Sequence, residues 1–284
     1  MSKLNIYQSL WAMELRRPDG VERSREESFA MVAEAGFDGM AVDLGSTSLE
    51  SARALAPLYQ RYTMSCMINA FPSTLDDLLP VLYMAKDFDA TVVNIIGQVM
   101  PFTVDEAAHV VRHWMDQAQK EGVEIQFETH RNCITNDLFF MLQLMEAVPD
   151  MPVCADLSHY LVDREFWYPI SADDDALIDR VLRRAASFQG RVASREQIQL
   201  QLNFPQHQKW VTVFKDWWRR GFRYWRQRAD DNDECLFLCE LGPPEYAITG
   251  ADGYELSDRW EESLQLQAWA RELWGLADPA KHDA

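Results

Sequence analysis

Three carboxylates close three separate apolar runs in the second half of the chain. Glu128, Asp156 and Glu240 each stand where a strand-like run ends and polar or turn residues begin. In a barrel of alternating strands and helices, the C-terminal ends of the strands surround one mouth, where the catalytic loops converge. Carboxylates that converge repel one another unless a cation or shared protons offset their charge. The pattern therefore predicts a metal site.

The elements that position these acids follow from the apolar periodicity of the chain, which alternates between strand-like and helix-like segments. The short strand-like runs resemble buried parallel strands and cover residues 4–10, 39–44, 63–70, 91–97, 123–128, 152–156, 188–192 and 235–241. The helix-like segments between and after them cover residues 24–36, 49–62, 74–88, 104–121, 135–147, 174–187, 207–229 and 257–274.

Eight strand–helix pairs predict an α/β fold of one domain, a single (β/α)8 TIM barrel. Such a barrel typically takes about 250 residues, and this chain has 284. We assign residues 1–275 to the barrel and residues 276–284 to a flexible C-terminal tail. A doubly wound open sheet is the alternative, but no Gly-x-Gly-x-x-Gly follows the first strand-like run, as a dinucleotide-binding sheet of that kind would have.

Composition and charge exclude several classes of partner. The net charge of −18, from 27 basic and 45 acidic residues, argues against nucleic acid, which is bound through cationic side chains. No apolar stretch approaches the length of a membrane span, so we expect no membrane partner. The N-terminus shows no secretory signal pattern, and we expect a cytoplasmic protein. The five cysteines include no CxxC pair and are expected to be reduced core thiols.

Three short motifs resemble those of the xylose isomerase-like TIM-barrel superfamily. They are Glu-Thr-His-Arg-Asn at 128–132, Ala-Asp-Leu-Ser-His at 155–159 and Cys-Glu-Leu-Gly-Pro at 239–243. That superfamily includes sugar phosphate isomerases and epimerases, ketose 3-epimerases and inosose dehydratases. The resemblance extends along most of the chain, because the order of the strands and the order of the motifs both agree.

The resemblance implies one divalent metal ion, held in this superfamily by Glu, Asp, His and Glu at the ends of strands five to eight. Glu128, Asp156 and Glu240 match three of these ligands, and Gln189 stands at the position of the histidine. A glutamine can coordinate a hard cation through its amide oxygen, but it lacks the imidazole that suits zinc and cobalt. The expected ion is therefore Mn²⁺ or Mg²⁺, with Co²⁺ and Zn²⁺ as the alternatives.

The activity that the resemblance implies is isomerisation or epimerisation of a sugar or sugar derivative. The metal would stabilise an enediolate, and Glu128 and Glu240 would be the acid/base pair that removes and returns the proton. By the same resemblance, His159 and Arg195 would hydrogen-bond oxygens of the substrate.

Further contacts with a small-molecule carbohydrate are expected around the mouth. His130 and Arg131 directly follow Glu128, while Trp11 and Trp167 follow predicted strands and could form an apolar wall for a sugar face. An aromatic-rich stretch at 210–225 is read as an apolar stripe that packs on the barrel or on a second subunit, with its arginines reaching outward. The sequence leaves the oligomeric state open, although an aromatic-rich helix surface would favour a homo-oligomer.

Other functions remain open at this point. The same site could serve a metal-dependent lyase, dehydratase or hydrolase acting on a polyol or glycoside-like substrate. A third reading is a non-catalytic barrel in which Gln189 has weakened the metal site. Each carboxylate taken alone is more often a helix N-cap or an ion-pair partner. The sequence does not distinguish among sugars or between free and phosphorylated substrates.

Overall fold

The protein forms a closed barrel of eight parallel strands. The computed structural model describes residues 2–277, and in it each strand pairs with the next along the chain while the eighth pairs with the first. The strands are β1 (Lys3–Ser9), β2 (Gly39–Asp43), β3 (Ser65–Ala70), β4 (Val92–Ile95), β5 (Ile125–Glu128), β6 (Val153–Ala155), β7 (Ala185–Gly190) and β8 (Glu234–Cys239). The predicted single barrel is confirmed, and the open doubly wound sheet is wrong.

Ten α-helices accompany the strands within residues 2–277. They are α1 (Arg25–Glu34), α2 (Leu49–Arg53), α3 (Ala56–Tyr62), α4 (Leu79–Asp87), α5 (Val104–Glu121), α6 (Leu138–Ala147), α7 (Leu157–Asp163), α8 (Ala172–Leu182), α9 (Gln208–Arg228) and α10 (Arg259–Leu276). Two short 3-10 helices lie at Trp11–Met13 and Pro205–His207. None of the helices in this part of the chain is both long and apolar enough to cross a membrane.

Several elements differ from the sequence-based prediction, among them α4, which begins at Leu79 and not at residue 74, and α6, which begins at Leu138 and not at residue 135. The helix expected to run to residue 187 ends at Leu182, and β7 therefore begins at Ala185, three residues before the predicted start of that strand. The segment 49–62 divides into α2 and α3, with a proline in the first turn of α3. The seven-residue helix α7 was not predicted, because a helix of two turns leaves little apolar periodicity.

The interior of the barrel changes from apolar to polar toward its C-terminal mouth. An apolar cluster separate from the main core consists of Tyr7, Ala41, Met67, Val92, Leu236 and Leu238. Because side chains alternate across a strand, residues two positions further along share the same face. Two positions beyond Ala41, Met67 and Leu238 stand Asp43, Asn69 and Glu240. These polar residues therefore form a layer directly next to the apolar cluster, on the side of the mouth.

The aromatic stretch of α9 packs on the barrel, as one of the two readings predicted. The Trp218 ring meets Phe237 of β8 edge-on at 5.3 Å, and Phe222 meets Phe188 of β7 at 5.1 Å. Arg220 lies between α9 and α8, where it pairs with Asp175 and Asp179 of α8 and with Asp216. The buried rings therefore stabilise the barrel, and the homo-oligomer stays a prediction.

The last helix ends close to the predicted boundary of the barrel. α10 runs to Leu276, one residue beyond the position predicted for the end of the domain. The rest of the predicted tail, from residue 278 onward, lies outside the described residues. The five cysteines are buried and unpaired.

Candidate functional site

The three carboxylates identified in the sequence meet at the C-terminal mouth of the barrel. Glu128 is the last residue of β5, Asp156 follows β6 and Glu240 follows β8. One carboxylate oxygen from each lies within 4.8 Å of the others. All three side chains are buried. The parallel strands thus bring together, across more than a hundred residues of sequence, a group of acids close enough to share a proton or a cation.

A buried arginine lies among these acids. Nη1 of Arg191 is 3.2 Å from Oδ2 of Asp156, and Nη2 is 2.9 Å from Oε2 of Glu240. Its Nε donates to the backbone carbonyl of Glu240 at 3.0 Å. Only 2% of Arg191 is exposed. The guanidinium therefore contributes the positive charge that offsets these two carboxylates.

The sequence-based analysis overlooked Arg191, although the sequence contains a signal for it. Arg191 lies two positions after Gln189, and alternation along a strand places residues two apart on the same face. Gln189 is buried at the inner face of β7, where its amide nitrogen donates to Oε2 of Glu128. An arginine that continues this face must point into the mouth.

The acids also accept hydrogen bonds from neighbouring side chains. Oδ1 of Asp156 accepts from the backbone nitrogen of Ser158 at 2.9 Å and from the Ser158 hydroxyl. Through the first of these bonds Asp156 is the N-cap of α7. Oε1 of Glu240 accepts from Nδ2 of Asn69 at 3.0 Å. Asp156 thus has the capping role and the ion-pair role that its position alone suggested.

Glu128 is surrounded by amides. Its Oε2 accepts hydrogen bonds from Asn94 on β4 and from Gln189 on β7. Nδ2 of Asn94 also lies 3.1 Å from Oδ1 of Asn69, which links this group to the partner of Glu240. A chain of amide side chains therefore connects the two glutamates around the barrel.

Both glutamates hold protons more tightly than free carboxyls do. Burial, together with the charges of Glu240 and Asp156, raises the pKa of Glu128 well above its usual range. Burial also raises the pKa of Glu240, to about 8, although the charge of Arg191 opposes the shift. Asp43, at the end of β2, has its pKa raised to about 6 by burial. Such acids can donate a proton near neutral pH, and their ionised forms can accept one.

Two histidines pack beside the acids and are neutral near pH 7. The rings of His130 and His159 lie 4.0 Å apart. Burial lowers the pKa of His130 to about 4 and that of His159 well below its usual range. Nε2 of His159 lies 3.4 Å from Nη1 of Arg191 and 3.5 Å from Oδ2 of Asp156. Neutral rings can hydrogen-bond a substrate without adding charge.

A cavity of about 320 Å³ opens above these groups. Its wall is formed by Trp11, Arg16, Asp43, Gly45, Ser46, Asn69, Phe71, Ile96, Glu128, His130, Arg191, Glu240 and Tyr246. The cavity combines three acids of raised pKa, a guanidinium and aromatic rings. These are groups that can bind a small polar molecule and move a proton on it.

Tyr246, in the loop after β8, is a second residue that the sequence-based analysis did not single out. Its ring meets Trp11 edge-on at 5.1 Å and lies 5.0 Å from the guanidinium carbon of Arg191. Its hydroxyl accepts a hydrogen bond of 2.7 Å from Arg131. Tyr246 thus forms one wall of the cavity together with Trp11 and Arg191, and its hydroxyl links Arg131 to that wall.

Solved structures with the same arrangement of strands and helices cover nearly the whole chain. A xylose isomerase-like TIM barrel protein from Mycobacterium smegmatis, solved in complex with magnesium, aligns with a TM-score of 0.59 at 15% identity, over 95% of this chain and 97% of that one. An L-ribulose 3-epimerase aligns with a TM-score of 0.62 at 13% identity, over 96% and 95%. The chain has the xylose isomerase-like TIM-barrel fold.

A third solved structure that aligns with this chain is of a probable dehydratase and not of an epimerase. A probable 3-DHS dehydratase from Bacillus anthracis aligns with a TM-score of 0.51 at 12% identity, over 97% of this chain and 98% of that one. No protein-family model matches the sequence, and no curated protein matches it either.

Four of the six residues predicted for substrate contact are not in the cavity wall of this xylose isomerase-like barrel, namely Arg131, His159, Arg195 and Trp167. Arg195 forms an ion pair of 2.8 Å with Glu165, and its guanidinium carbon lies 3.6 Å from the centre of the Trp167 ring. Trp167 itself is 69% exposed. Arg195 thus contacts Glu165 and Trp167 and does not line the cavity, and the substrate contacts of Arg195 and Trp167 stay a prediction.

The loop that carries Arg195 is held against the barrel. Gln199 and the backbone of Gly242 exchange two hydrogen bonds, of 2.9 and 2.7 Å. The backbone nitrogen of Leu202 donates to Glu262 at 2.8 Å. Since both Gln199 and Leu202 are buried, this long connection is packed into the body of the protein.

Two groups of side chains at the mouth are close enough to hold a divalent metal ion. They are Glu128 with Asp156 and Glu240, and Glu128 with His130 and His159. The arrangement of the first group does not fit such an ion, because the guanidinium of Arg191 lies against the oxygens of Asp156 and Glu240 that face the mouth. Gln189 presents its amide nitrogen, not its oxygen, to Glu128.

Proposed function

We propose that the protein is an isomerase or epimerase that moves a proton on the carbon next to a carbonyl group in a small polyhydroxylated substrate. The observation that carries this proposal is the pair Glu128 and Glu240, two carboxyls of raised pKa that line one cavity at the mouth of the barrel. Paired carboxyls with shifted pKa values are typical of acid/base sites.

The reaction begins when one of the two glutamates, in its ionised form, accepts the proton of the substrate carbon. The electron pair of the broken C–H bond forms the double bond of an enolate, and the negative charge moves to the carbonyl oxygen. The other glutamate, in its protonated form, then returns a proton. Return to the opposite face of the same carbon gives the epimer. Return to the neighbouring carbon gives the isomer, provided that the hydroxyl proton of the first carbon also moves to the enolate oxygen, so that the first carbon becomes the new carbonyl. No atoms are lost, and the two carboxyls exchange protonation states.

The surroundings of the two glutamates suit these steps. A buried positive charge close to a developing enolate stabilises it more strongly than the same charge would in water, and Arg191 lies in the same cavity wall. The neutral ring of His130 can hydrogen-bond a hydroxyl of the substrate. The rings of Trp11 and Tyr246 provide an apolar wall against which the carbon face of a sugar can pack.

The volume of the cavity and the structural neighbours agree with a carbohydrate substrate. About 320 Å³ is at the lower end of the range of about 300–1,000 Å³ for small-molecule sites. Among the structural neighbours, an L-ribulose 3-epimerase and a D-psicose 3-epimerase solved in the presence of D-fructose act on ketoses. We therefore place ketoses first among the substrates, and inososes second.

Proton exchange in deuterated water tests the proposal. The protein is incubated with a panel of ketohexoses, ketopentoses and inososes, and NMR follows deuterium entering the position next to the carbonyl. At least one substrate is expected to exchange. Glu128→Gln and Glu240→Gln should each slow that exchange by about 10²–10⁴-fold, which is the usual contribution of one acid/base group.

Two matched variants control for loss of charge alone. Glu124→Gln lies just before β5, and Glu234→Gln lies at the opposite end of β8, both at exposed positions away from the mouth. Both controls should exchange at the rate of the unaltered protein. Exchange followed by loss of water would identify a dehydratase. The absence of exchange on the whole panel would contradict the proposal and favour a non-catalytic barrel.

A further inference from the structure

The position of one side chain suggests how this site supplies its positive charge. Arg191 lies against Asp156 and Glu240, two of the three carboxylates that would ligate a metal in this fold. A guanidinium is charged at any pH at which proteins fold. A second, divalent cation at the same place would lie next to that charge, in a buried environment where repulsion between like charges is strong.

We infer that the guanidinium of Arg191 takes the place of the divalent cation, and that the carboxylates of the mouth bind no metal ion. The position of this charge can be tested without knowing the substrate. Only its role toward the substrate, as the group that stabilises the enolate oxygen, rests on the proposed function.

The hydrogen bonds of the carboxylates support this inference. A metal ion binds carboxylate oxygens through their lone pairs. Here Oδ1 of Asp156 accepts from Ser158, and Oε1 of Glu240 accepts from Asn69. Donors thus bind the oxygens that face away from Arg191. On the facing side, Oε2 of Glu240 accepts a hydrogen bond from Nη2, while Oδ2 of Asp156 lies 3.2 Å from Nη1 as an ion pair, without a hydrogen bond from any described residue.

Glu128 is likewise bound by hydrogen-bond donors. Its Oε2 accepts from the amides of both Asn94 and Gln189. At the fourth position of the site, the amide nitrogen of Gln189 therefore donates to a carboxylate, while its oxygen Oε1 is buried without a hydrogen-bond partner among the described residues. A histidine there could leave one ring nitrogen unprotonated toward a metal, whereas an amide nitrogen cannot ligate one.

Arg191 is held in place from several directions. Its Nε donates to the backbone carbonyl of Glu240, and the Tyr246 ring lies 5.0 Å from its guanidinium carbon. Nε2 of His159 is 3.4 Å from Nη1. A side chain held by an ion pair, a backbone carbonyl and a ring is preorganised, and displacing it would break all three contacts.

Metal binding by the unaltered protein is the first part of the test. The full chain is dialysed against a chelator and titrated with Mn²⁺ and then with Mg²⁺, and binding is followed by calorimetry and by the electron spin resonance signal of free Mn²⁺. We expect no binding tighter than a Kd of about 1 mM, which corresponds to about −4 kcal/mol. Stoichiometric binding at micromolar Kd would overturn the inference.

The second part attempts to restore a metal site. The double variant Arg191→Met, Gln189→His removes the guanidinium and supplies an imidazole in the position of the amide. It should bind one Mn²⁺ per chain at least about tenfold more tightly than the unaltered protein, a gain of about 1.4 kcal/mol. The control Arg180→Met, Gln189→His loses the same charge from an exposed ion pair with Glu146, and should bind as weakly as the unaltered protein.

Each outcome decides for or against the inference. A folded double variant that binds no more Mn²⁺ than the control would overturn it, because removing the guanidinium would not have opened the site. If circular dichroism shows that the double variant does not fold, the titration of the unaltered protein decides alone. Failure of the proposed function is distinguishable, since it would appear as an absence of proton exchange and would leave the metal-binding results unchanged.

Discussion

Arg191 holds Glu240 at two points. Nη2 lies 2.9 Å from the carboxylate oxygen Oε2, and Nε donates to the backbone carbonyl of the same residue at 3.0 Å. The first contact orients the carboxylate, and the second joins the C-terminal ends of β7 and β8. Because both side chains are buried, removing Arg191 would leave Glu240 without the positive charge beside it, and breaking a buried pair in this way typically costs about 3–5 kcal/mol. Removing Glu240 should cost less, because Arg191 would still be paired with Asp156.

The proton-exchange rate should depend on pH through the raised pKa of Glu240, about 8. A base must be ionised to accept a proton, so the active fraction rises with pH up to this pKa, by about tenfold per pH unit below it. We expect the exchange rate to increase from pH 6 to pH 8 and to level off above that. Glu124→Gln should keep the same profile. A rate that is flat or that falls between pH 6 and pH 8 would exclude a base of raised pKa.

Tyr246→Phe should weaken substrate binding more than it slows the chemical step. The variant loses the hydrogen bond from Arg131 but keeps the ring that contacts Trp11 and Arg191. One hydrogen bond contributes about 0.5–1.5 kcal/mol, so KM should rise by about 2–12-fold with kcat nearly unchanged.

Steady-state kinetics on an exchanging substrate measures this difference, and Tyr246→Ala is the comparison. The alanine variant removes the ring beside Arg191, and it should lower kcat as well as raise KM. Equal losses of kcat in the phenylalanine and alanine variants would contradict the role assigned to the ring.

Gly190→Ala should destabilise the protein through overpacking. Gly190 lies between Gln189 and Arg191, and a Cβ added to it would stand 2.6 Å from Cε1 of Phe237. Contacts this short require backbone shifts that typically cost about 1–3 kcal/mol. Chemical denaturation should show a loss of that size. Glu196→Ala, at an exposed position in the loop after β7, is the control and should be neutral. A Gly190→Ala variant as stable as the control would show that Phe237 can move aside.

Glu128→Gln should stabilise the protein at high pH more than at low pH. The pKa of Glu128 is raised in the folded state, so the folded protein holds a proton that the unfolded chain releases above its own pKa of about 4.3. The unaltered protein therefore loses stability as pH rises from about 4.3 toward the folded pKa. The glutamine variant does not titrate and escapes this loss.

Calorimetry at two pH values measures the effect of Glu128→Gln. The quantity compared is the Tm of the variant minus the Tm of the unaltered protein. This difference should be larger at pH 8 than at pH 5 by at least about 2 °C, which is the lower end of the shift expected for 1 kcal/mol in a chain of this size class. Glu124→Gln, exposed before β5, should show no such pH dependence. A Tm difference that is the same at both pH values would contradict the raised pKa.

The barrel and the position of its acids were determined by local features of the sequence. The bounds of α5, Val104–Glu121, agree with the prediction because Thr103 and Glu106 form a capping box and Gly122 ends the helix at a φ of 68°. Glu128, Asp156 and Glu240 were recognised because each ends an apolar run, and parallel strands place such ends together. A capping box and the end of an apolar run each involve only residues that are close to one another along the chain.

Only the tertiary structure decided what occupies the space between these acids. The strand containing Gln189 was predicted three residues late, because Ala185 and Ala186 carry no strand signal and the pairing of β7 with β8 sets its limits. That register turns Arg191 inward, where it meets Asp156 and Glu240. The raised pKa of Glu128 likewise comes from burial and from charges on other strands. Both the position of Arg191 and the pKa of Glu128 depend on residues that are far apart in the chain. These residues come close to one another only when the barrel closes.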